Sequence, residues 1–187
     1  VFNDGSPDPH ALEPERNGYL YTNVPDARVG QEYRFVITNG EQVLSRVDPY
    51  AREVTNSIGN GIIHDVDFDW EGDDYELPPW NELVIYELHI GTFNDMDASD
   101  NKPGTFADAI GRLPYLKKLG VNVSGDADLE FAGDYSWGYN QAHIFAVEST
   151  YGGSLGFKEF VRAAHREGLG VILDVVYNHV GPSDLNL

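Results

Sequence analysis

Short strand-like segments, separated by turn-forming residues, occupy the first half of the chain. From Gly18 to Val24, successive side chains would lie on opposite faces of an extended segment, which predicts a strand. Glu32 to Ile37 predicts a second strand. Asn39-Gly40 is a tight-turn signal that Gln42 to Ser45 follows, which together indicate a β-hairpin. Strands of this length and spacing predict a small antiparallel β-sandwich.

A strongly acidic stretch follows these strands. From His64 to Trp70 apolar and acidic residues alternate with a period of two, which predicts a strand with one buried and one acidic face. No basic residue interrupts the acids of this run, which are Asp65, Asp67, Asp69, Glu71, Asp73, Asp74 and Glu76. We interpret the run as a solvated edge strand that its charge protects from pairing, and calcium binding is the alternative.

The second half of the chain has a different pattern. Leu83 to His89 is mostly apolar and has the length of a strand. Thr105, with Asp108 three residues later, predicts the start of a helix. Pro114 should kink that helix, because proline removes a backbone donor.

A second helix is predicted from Ser154 to Glu167, and Gly168 should end it. Val171 to Tyr177 is then an apolar strand. A further strand is expected after Gly120-Val121-Asn122, between the two helices. The resulting order of strand, helix, strand, helix and strand is typical of a parallel sheet, either open or part of a barrel.

Composition narrows the classes of function. The 187 residues include 12 Lys+Arg and 31 Asp+Glu, giving a formal net charge of −19. Nucleic acids and anionic membranes attract basic proteins, so neither is expected as a partner. The absence of cysteine excludes disulfides, thiolate catalysis and zinc–thiolate sites. No apolar run approaches the roughly 20 residues of a membrane span, and the first residues resemble neither a normal start nor a signal peptide. We expect a piece of a longer cytoplasmic protein.

Two segments carry the candidate chemistry. Asp174 to His179 ends the last predicted strand with polar groups that are costly to bury without partners. They could form a functional site or be hydrogen-bonded structural groups. In the second segment, Tyr135 to Asn140, the aromatic residues Trp137 and Tyr139 can form a flat platform for a sugar ring, or they can simply cover the rim of the sheet.

Four motifs occur together along the chain: Tyr86 to Phe93, Ser136 to Asn140, Tyr151 to Gly153 and Asp174 to His179. In this order and approximate spacing they resemble the α-amylase superfamily, glycoside hydrolase family 13, and most closely its 1,4-α-glucan (glycogen) branching enzymes. Asp48 to Arg52 resembles the end of carbohydrate-binding module family 48. The resemblance implies an α/β fold with a partial antiparallel β-sandwich over residues 1–78. The first three β/α units of a (β/α)8 TIM barrel would then occupy residues 79–187.

The resemblance also implies roles for five residues in binding substrate. His179 resembles the histidine that hydrogen-bonds the sugar just before the scissile bond, and Tyr139 resembles the aromatic residue that stacks on that sugar. Asp174 resembles the strand carboxylate that orients the site. Asn178 matches a position that binds calcium in many α-amylases but is often free of metal in branching enzymes, and we assign no metal here. Trp137 is expected to support the rim.

The family mechanism is a retaining double displacement by two carboxylates, with a third stabilising the transition state. No carboxylate of this sequence aligns with these three, so we expect the nucleophile and the acid/base beyond Leu187 and this chain alone to be inactive. The implied partner is an α-1,4-glucan, and no cofactor is expected. Alternatives within the family are a maltooligosyltrehalose trehalohydrolase, a debranching enzyme or an α-amylase. Outside the enzymes, the alternatives are a non-catalytic glucan-binding module or an inert truncated product.

One segment departs from the family pattern. Val123 to Asp128 lies where the middle strand belongs, yet Ser, Gly and two Asp conflict with both strand propensity and burial. We hypothesise a local reading-frame error, because codons for Gly-Asp-Ala-Asp, read one base later, can encode Ala-Met-Pro-Ile. The nucleotide sequence tests this. Two further histidines, His89 and His143, are interpreted as packing or hydrogen-bonding residues.

Overall fold

The computed structural model describes residues 9–95, 102–125, 129–131, 136–179 and 181. Asp126 to Asp128 and Tyr135, which belong to the predicted middle strand and to the predicted aromatic segment, lie outside these residues. The described strands are β1 Glu13–Pro14, β2 Leu20–Tyr21, β3 Glu32–Tyr33, β4 Phe35–Asn39, β5 Gln42–Arg46, β6 Gly61–Ile62, β7 Ile85–Glu87, β8 Val123–Gly125, β9 Leu129–Phe131, β10 Gln141–Val147 and β11 Gly170–Ile172. The described α-helices are α1 Ile90–Phe93, α2 Phe106–Ile110, α3 Leu113–Leu119 and α4 Gly153–Arg166.

Antiparallel pairs of short strands form the first part of the chain. Strands β4 and β5 form the predicted hairpin, in which Asn39 pairs with Gln42, and Gly40 adopts the positive φ of 61° that the tight turn requires. The predicted strand from Gly18 to Val24 is shorter, since only β2 forms, paired with β1. The predicted strand from Glu32 to Ile37 divides at Arg34 into β3, which pairs with β6, and β4. The β-sandwich stays a prediction.

The prediction of a strand from His64 to Trp70 is wrong, because this segment is irregular. Asp65, Asp69 and Asp73 each accept a hydrogen bond from the backbone N–H two residues later, at 2.9, 2.7 and 3.1 Å. Such Asx turns bend the backbone and compete with strand pairing. The aspartates that suggested an alternating strand therefore prevent one.

The acidic run is also not simply solvated, because helix α4 provides the basic partners that the run itself lacks. Arg162 donates to the Asp69 carbonyl at 2.6 Å and forms an ion pair with Glu71 at 3.1 Å. Its guanidinium also lies 4.8 Å from the centre of the Phe68 ring. His165 Nδ1 lies 2.5 Å from Asp73 Oδ2. The segment thus packs along α4 through charge pairs between residues about 90 positions apart in the sequence.

The first predicted helix forms as two short helices. Thr105 and Asp108 make the complete capping box at the start of α2. The helical path breaks after Ile110, and Pro114 lies in the first turn of α3, where its missing N–H has no helical partner to lose. Helix α4 begins at Gly153 and ends at Arg166, one residue earlier at each end than the predicted helix from Ser154 to Glu167. Gly168 follows it with a φ of 76°. The predicted start at Thr105 and the predicted stop at Gly168 are therefore confirmed, whereas the prediction of a single helix kinked at Pro114 is wrong.

A parallel sheet of three strands, in the order β11, β8, β7, lies at the centre of the second half. The register aligns Glu87, Gly125 and Ile172 at the carboxyl ends of the three strands. The aromatic and aliphatic faces of the helices pack beside this sheet, in a cluster that includes Phe106, Leu116 and Phe160. The buried cluster fixes the position of the strand ends, where the polar candidates lie.

The middle strand forms from the segment that conflicts with strand propensity. Val123 and Ser124 are fully buried in β8, and Val123 pairs with both Ile85 and Gly170. The Ser124 hydroxyl has no hydrogen-bond partner in the part of the chain that the structure describes. Tertiary packing therefore overrides local propensity over Val123–Gly125, and the reading-frame hypothesis stays a prediction.

The last predicted strand is too long. Strand β11 ends at Ile172, level with Gly125, so Leu173 to Tyr177 continues without strand pairing among the described residues. Asp174 is consequently an exposed residue of an irregular segment and not part of a buried strand.

Contacts connect residues on both sides of the predicted division at Pro78-Pro79. Val47, Ala51 and Val54 form a small buried cluster with Ala146 of β10. Tyr50 stacks on Phe145 with ring centres 5.4 Å apart. The division into two domains stays a prediction, but these two regions share a packed surface.

Candidate functional site

A cavity of about 450 Å³ opens at the carboxyl ends of the parallel strands. Strands β7 and β8 and the segment that follows β11 each supply part of its wall, because the register brings the ends of the three strands to one level. The described lining residues are Glu87, Leu88, His89, Thr92, Gly125, Trp137, Gly138, Tyr139, Gln141, Asp174 and Val176. The site is therefore assembled from four separate stretches of sequence.

Three of the five candidate residues meet in this cavity. Trp137, Tyr139 and Asp174 all line it, and the two aromatic side chains are 63% and 57% exposed. Asn178 and His179 are exposed and do not belong to the described lining. The Asn178 amide lies 3.5 Å from His179 Nε2, so these two contact each other.

The loop that carries the two aromatic residues is held by Gln141. Gly138 separates Trp137 from Tyr139 and has a φ of 76°, a conformation that favours glycine. The Gln141 side chain donates from Nε2 to the Gly138 carbonyl at 3.1 Å. The Gln141 carbonyl accepts from Gly181 N–H at 2.8 Å, which connects the loop to the chain just beyond His179. Gln141 is buried, and the sequence analysis missed it because its partners depend on the fold.

His89 also lines the cavity, although the sequence favoured a structural role for it. Its Nδ1 lies 3.2 Å from the Thr92 hydroxyl, and its Nε2 lies 3.1 Å from the Tyr151 hydroxyl. The His89 ring contacts Trp137 with ring centres 5.0 Å apart. Hydrogen bonds at both nitrogens fix the orientation of the ring, and the ring in turn supports the aromatic platform. His89 therefore has the predicted structural role and, in addition, lines the cavity.

The chemistry of the lining suits an uncharged ligand with many hydroxyl groups. Glu87 and Asp174 are the carboxylates of the described lining, which includes no lysine or arginine. Carboxylates accept hydrogen bonds from hydroxyl groups, and aromatic faces pack on the C–H faces of a sugar ring. The described residues contain no group of three or more histidine, aspartate or glutamate side chains placed to hold a metal ion.

Two buried glutamates lie where β9 meets the turn after β10. Glu148 accepts hydrogen bonds from Phe131 N–H at 3.1 Å and from the Thr150 hydroxyl at 2.6 Å. Glu130 accepts from Ser149 N–H at 2.8 Å. Burial, together with the negative charge of Glu148, raises the pKa of Glu130 to about 7. The two side chains join β9 to the turn after β10.

His143 has the structural role that the sequence favoured. It is buried in β10, and its Nε2 lies 3.1 Å from the Ser57 carbonyl, which connects the two halves of the chain. Burial lowers the pKa of His143 and so favours the neutral imidazole.

The sequence profile of the α-amylase catalytic domain matches residues 50–184, a stretch that includes the whole cavity. The chain belongs to the α-amylase family. The malto-oligosyltrehalose trehalohydrolase of Saccharolobus solfataricus is 38% identical over 92% of this α-amylase family chain. A crystal structure of a protein assigned as an α-amylase from Salmonella typhimurium is 34% identical over 91% of the chain, with a TM-score of 0.80. The pullulanase of Anoxybacillus sp. LM18-11 complexed with maltotetraose is 27% identical over 91%, with a TM-score of 0.71.

The α-amylase family chain spans less than a third of these proteins, namely 29%, 28% and 30% of their lengths. Its curated relatives include further malto-oligosyltrehalose trehalohydrolases and plant isoamylases. They support the predicted family but not the predicted branching enzyme or the predicted family 48 binding module. Within the described residues, no helix combines the length and apolar character needed to cross a membrane.

Proposed function

We propose that this chain is part of an α-glucan-acting glycoside hydrolase of the malto-oligosyltrehalose trehalohydrolase type. The cavity at the strand ends would bind one glucose unit of an α-1,4-linked chain. The observation that carries this proposal is the combination of an exposed aromatic pair with two carboxylates in one cavity, whose described lining includes no lysine or arginine.

Four of the lining residues have roles that follow from their chemistry. Tyr139 would stack on the sugar ring, and Trp137 would cover the adjoining side. Asp174 and Glu87 would accept hydrogen bonds from sugar hydroxyls, which fix the rotation of the ring. In this proposal Asn178 and His179 join the site when the ligand is bound, as their place directly after the Asp174 segment allows. The parallel sheet would be the first part of a (β/α)8 barrel.

Hydrolysis is proposed for the whole protein and preferred over branching. The support is that this chain resembles a malto-oligosyltrehalose trehalohydrolase over 92% of its residues. The isoamylases, which cover 60% of the chain, make a debranching enzyme the second candidate. The predicted cytoplasmic location stays a prediction.

Binding of maltotetraose to the 187-residue chain tests the site. We expect titration calorimetry to detect binding and the Tyr139→Ala variant to bind about two- to twelvefold more weakly, because an aromatic contact contributes roughly 0.5–1.5 kcal/mol. Tyr115→Ala is the matched control, since Tyr115 is 56% exposed against 57% for Tyr139 but lies on α3, outside the described lining of the cavity. Equal losses in both variants, or no binding to the unmodified chain, would contradict the proposed site.

A comparison of ligands separates the candidate reactions. A trehalohydrolase-type site should bind a malto-oligosyltrehalose at least as tightly as maltotetraose. An isoamylase-type site should instead prefer a branched glucan with α-1,6 linkages. Preference for the branched ligand would replace the first candidate by the second.

A further inference from the structure

A separate cavity of about 350 Å³, here called the α4 cavity, lies between residues 70–75 of the acidic segment and the last turns of helix α4. Tyr75, in its wall, lies against the first residue of β11, since a Cβ added at Gly170 would be 3.1 Å from the Tyr75 hydroxyl. The cavity at the carboxyl ends of the strands lies past the other end of β11, and the two cavities share no described lining residue. They are therefore at opposite ends of the parallel sheet.

Charged groups of opposite sign hold the two walls of the α4 cavity together. Glu71 forms ion pairs with both Arg162 and Arg166, and Asp73 contacts His165. Glu71 also has a φ of 55°, a conformation that is uncommon for a residue other than glycine and persists where surrounding contacts hold it. Because these acids and bases already pair with each other, a charged ligand would have to break their pairs. The cavity therefore suits an uncharged ligand better than an anion or a cation.

Trp70 supplies an aromatic surface in the wall of the α4 cavity. Its ring packs edge to face against the Phe68 ring, with ring centres 4.8 Å apart, and the Arg162 guanidinium lies 4.8 Å from the centre of the same Phe68 ring. Trp70 is still 40% exposed. An indole that is oriented by packing and partly open to solvent can stack on the C–H face of a sugar ring.

Polar groups beside Trp70 complete the features that a sugar needs. Asp74 is exposed and lines the α4 cavity, so its carboxylate can accept hydrogen bonds from hydroxyl groups. Arg166 is also exposed, and its guanidinium has donors beyond those directed at Glu71. An aromatic face with a few convergent polar groups is the usual character of a small-molecule site.

We propose that the α4 cavity is a second carbohydrate site, which binds an uncharged α-glucan at the end of the sheet opposite to the strand-end cavity. The choice of an α-glucan rests on the proposed function, whereas the aromatic wall and the paired charges point independently to a neutral ligand with many hydroxyl groups. Because the two cavities share no wall, each binds its own stretch of glucan. The α4 cavity would thus retain a long glucan on the protein and leave the strand-end cavity free.

The three tryptophans of the chain report on the two sites separately. Trp70 lines the α4 cavity and Trp137 lines the strand-end cavity, while Trp80 is 79% exposed and belongs to neither described lining. Titration of the 187-residue chain with maltotetraose should shift the NMR signals of the Trp70 and Trp137 indole N–H groups and leave that of Trp80 in place. Tyr139→Ala should weaken the affinity that Trp137 reports and leave the affinity that Trp70 reports unchanged.

Calorimetry on a matched pair of variants gives a second measurement. Trp70→Ala should reduce the number of maltotetraose molecules bound by each chain from two to one. Trp80→Ala removes a more exposed indole outside both described linings and should leave that number at two. An equal number of bound ligands in the two variants would overturn the second site.

The NMR outcomes separate this inference from the proposed function. A shift of Trp137 without a shift of Trp70 overturns the second site alone. A shift of Trp70 without a shift of Trp137 overturns the proposed function of the strand-end cavity and supports the second site, and no shift of either overturns both. If Tyr139→Ala weakens the Trp70 response as much as that of Trp137, one site accounts for both signals and the second site is overturned. These spectra need no substitution of Trp70, so they decide the question even if Trp70→Ala does not fold.

Discussion

Glu130 and Glu148 are two acidic side chains enclosed in the protein, 2% and 1% exposed. Both accept backbone hydrogen bonds, which offsets part of the cost of their burial. The remaining cost appears in the raised pKa of Glu130, about 7. Glu130 therefore changes its charge near neutral pH, beside Glu148 and the turn that follows β10.

The raised pKa gives a defined dependence of stability on pH. A carboxyl group with a higher pKa in the folded state holds its proton more tightly there, so the free energy of unfolding should fall as the pH rises from about 5 to about 7. Glu130→Gln keeps an acceptor for Ser149 N–H without the charge, and it should stabilise the protein by roughly 3 kcal/mol above pH 7. Urea unfolding across this pH range measures the effect. Glu159→Gln, on the exposed side of α4, should leave the pH profile unchanged, and a similar profile for both variants would refute the assignment to Glu130.

Sequence motifs located some site residues and missed others for a physical reason. Tyr139 and Asp174 lie in short motifs whose chemistry is visible without the fold. The roles of His89 and Gln141 depend on Tyr151 and on the turn at Gly138, which the pattern of residues around each does not reveal. The placement of His179 was implied by resemblance, and the structure leaves it outside the described lining of the cavity.

At the level of elements, the acidic segment and α4 depend on each other. The Asp73 carboxylate accepts a hydrogen bond from Tyr75 N–H and also contacts the His165 ring. The hydrogen bond with His165 lowers the pKa of Asp73 below its ordinary value. Tyr75 in turn stacks on the His165 ring with centres 4.5 Å apart. Helix signals in this protein were predictable because caps and stops are local. The shape of the acidic segment was not predictable, because its Asx turns and its basic partners on α4 determine that shape together.

The lowered pKa of Asp73 predicts sensitivity to acid. A carboxylate stabilised in the folded state contributes above its ordinary pKa, and the contribution is lost as the pH falls through its lowered value. Asp73→Asn should therefore expose the amides of residues 64–75 to faster hydrogen exchange at neutral pH, and the difference from the unmodified protein should shrink in acid. Asp74→Asn is the neighbouring control. Equal exchange rates in the two variants at neutral pH would contradict a special role for Asp73.

Strand β8 gives a second prediction for an element. Ser124 is fully buried, and its hydroxyl has no partner among the described residues. Ser124→Ala should raise the free energy of unfolding by about 1 kcal/mol, because it removes an unsatisfied polar group from the sheet. Denaturant unfolding measures the change. Ser45→Ala, which removes a hydroxyl that accepts from Arg34, should give no gain. A loss of stability in Ser124→Ala would mean that the hydroxyl is satisfied.

At the level of the whole molecule, the site depends on residues that are distant in the sequence. Glu87, Gly125 and Ile172 reach one level only because three strands pair in parallel with matched register. The order of the three parallel strands and the helices between them was predictable from hydrophobic periodicity, since parallel strands need helical crossovers. The antiparallel pair β9–β10, which lies between β8 and α4, was not predicted. The lengths of the strands were not, because pairing with β8, and not the apolar pattern, determines where β11 ends.

Helix α4 is held on opposite faces by unrelated interactions, with Phe160 and Ala164 in the core and Arg162 and His165 against the acidic segment. Two independent sets of contacts therefore fix the rotation of α4 about its own axis. One inserted residue after Glu159 would turn the rest of the helix by about 100°. The aromatic face and the basic face would then leave their partners together. An insertion or deletion within α4 would thus break the contacts of both faces, whereas one in the loops at its ends would leave both sets of contacts in place.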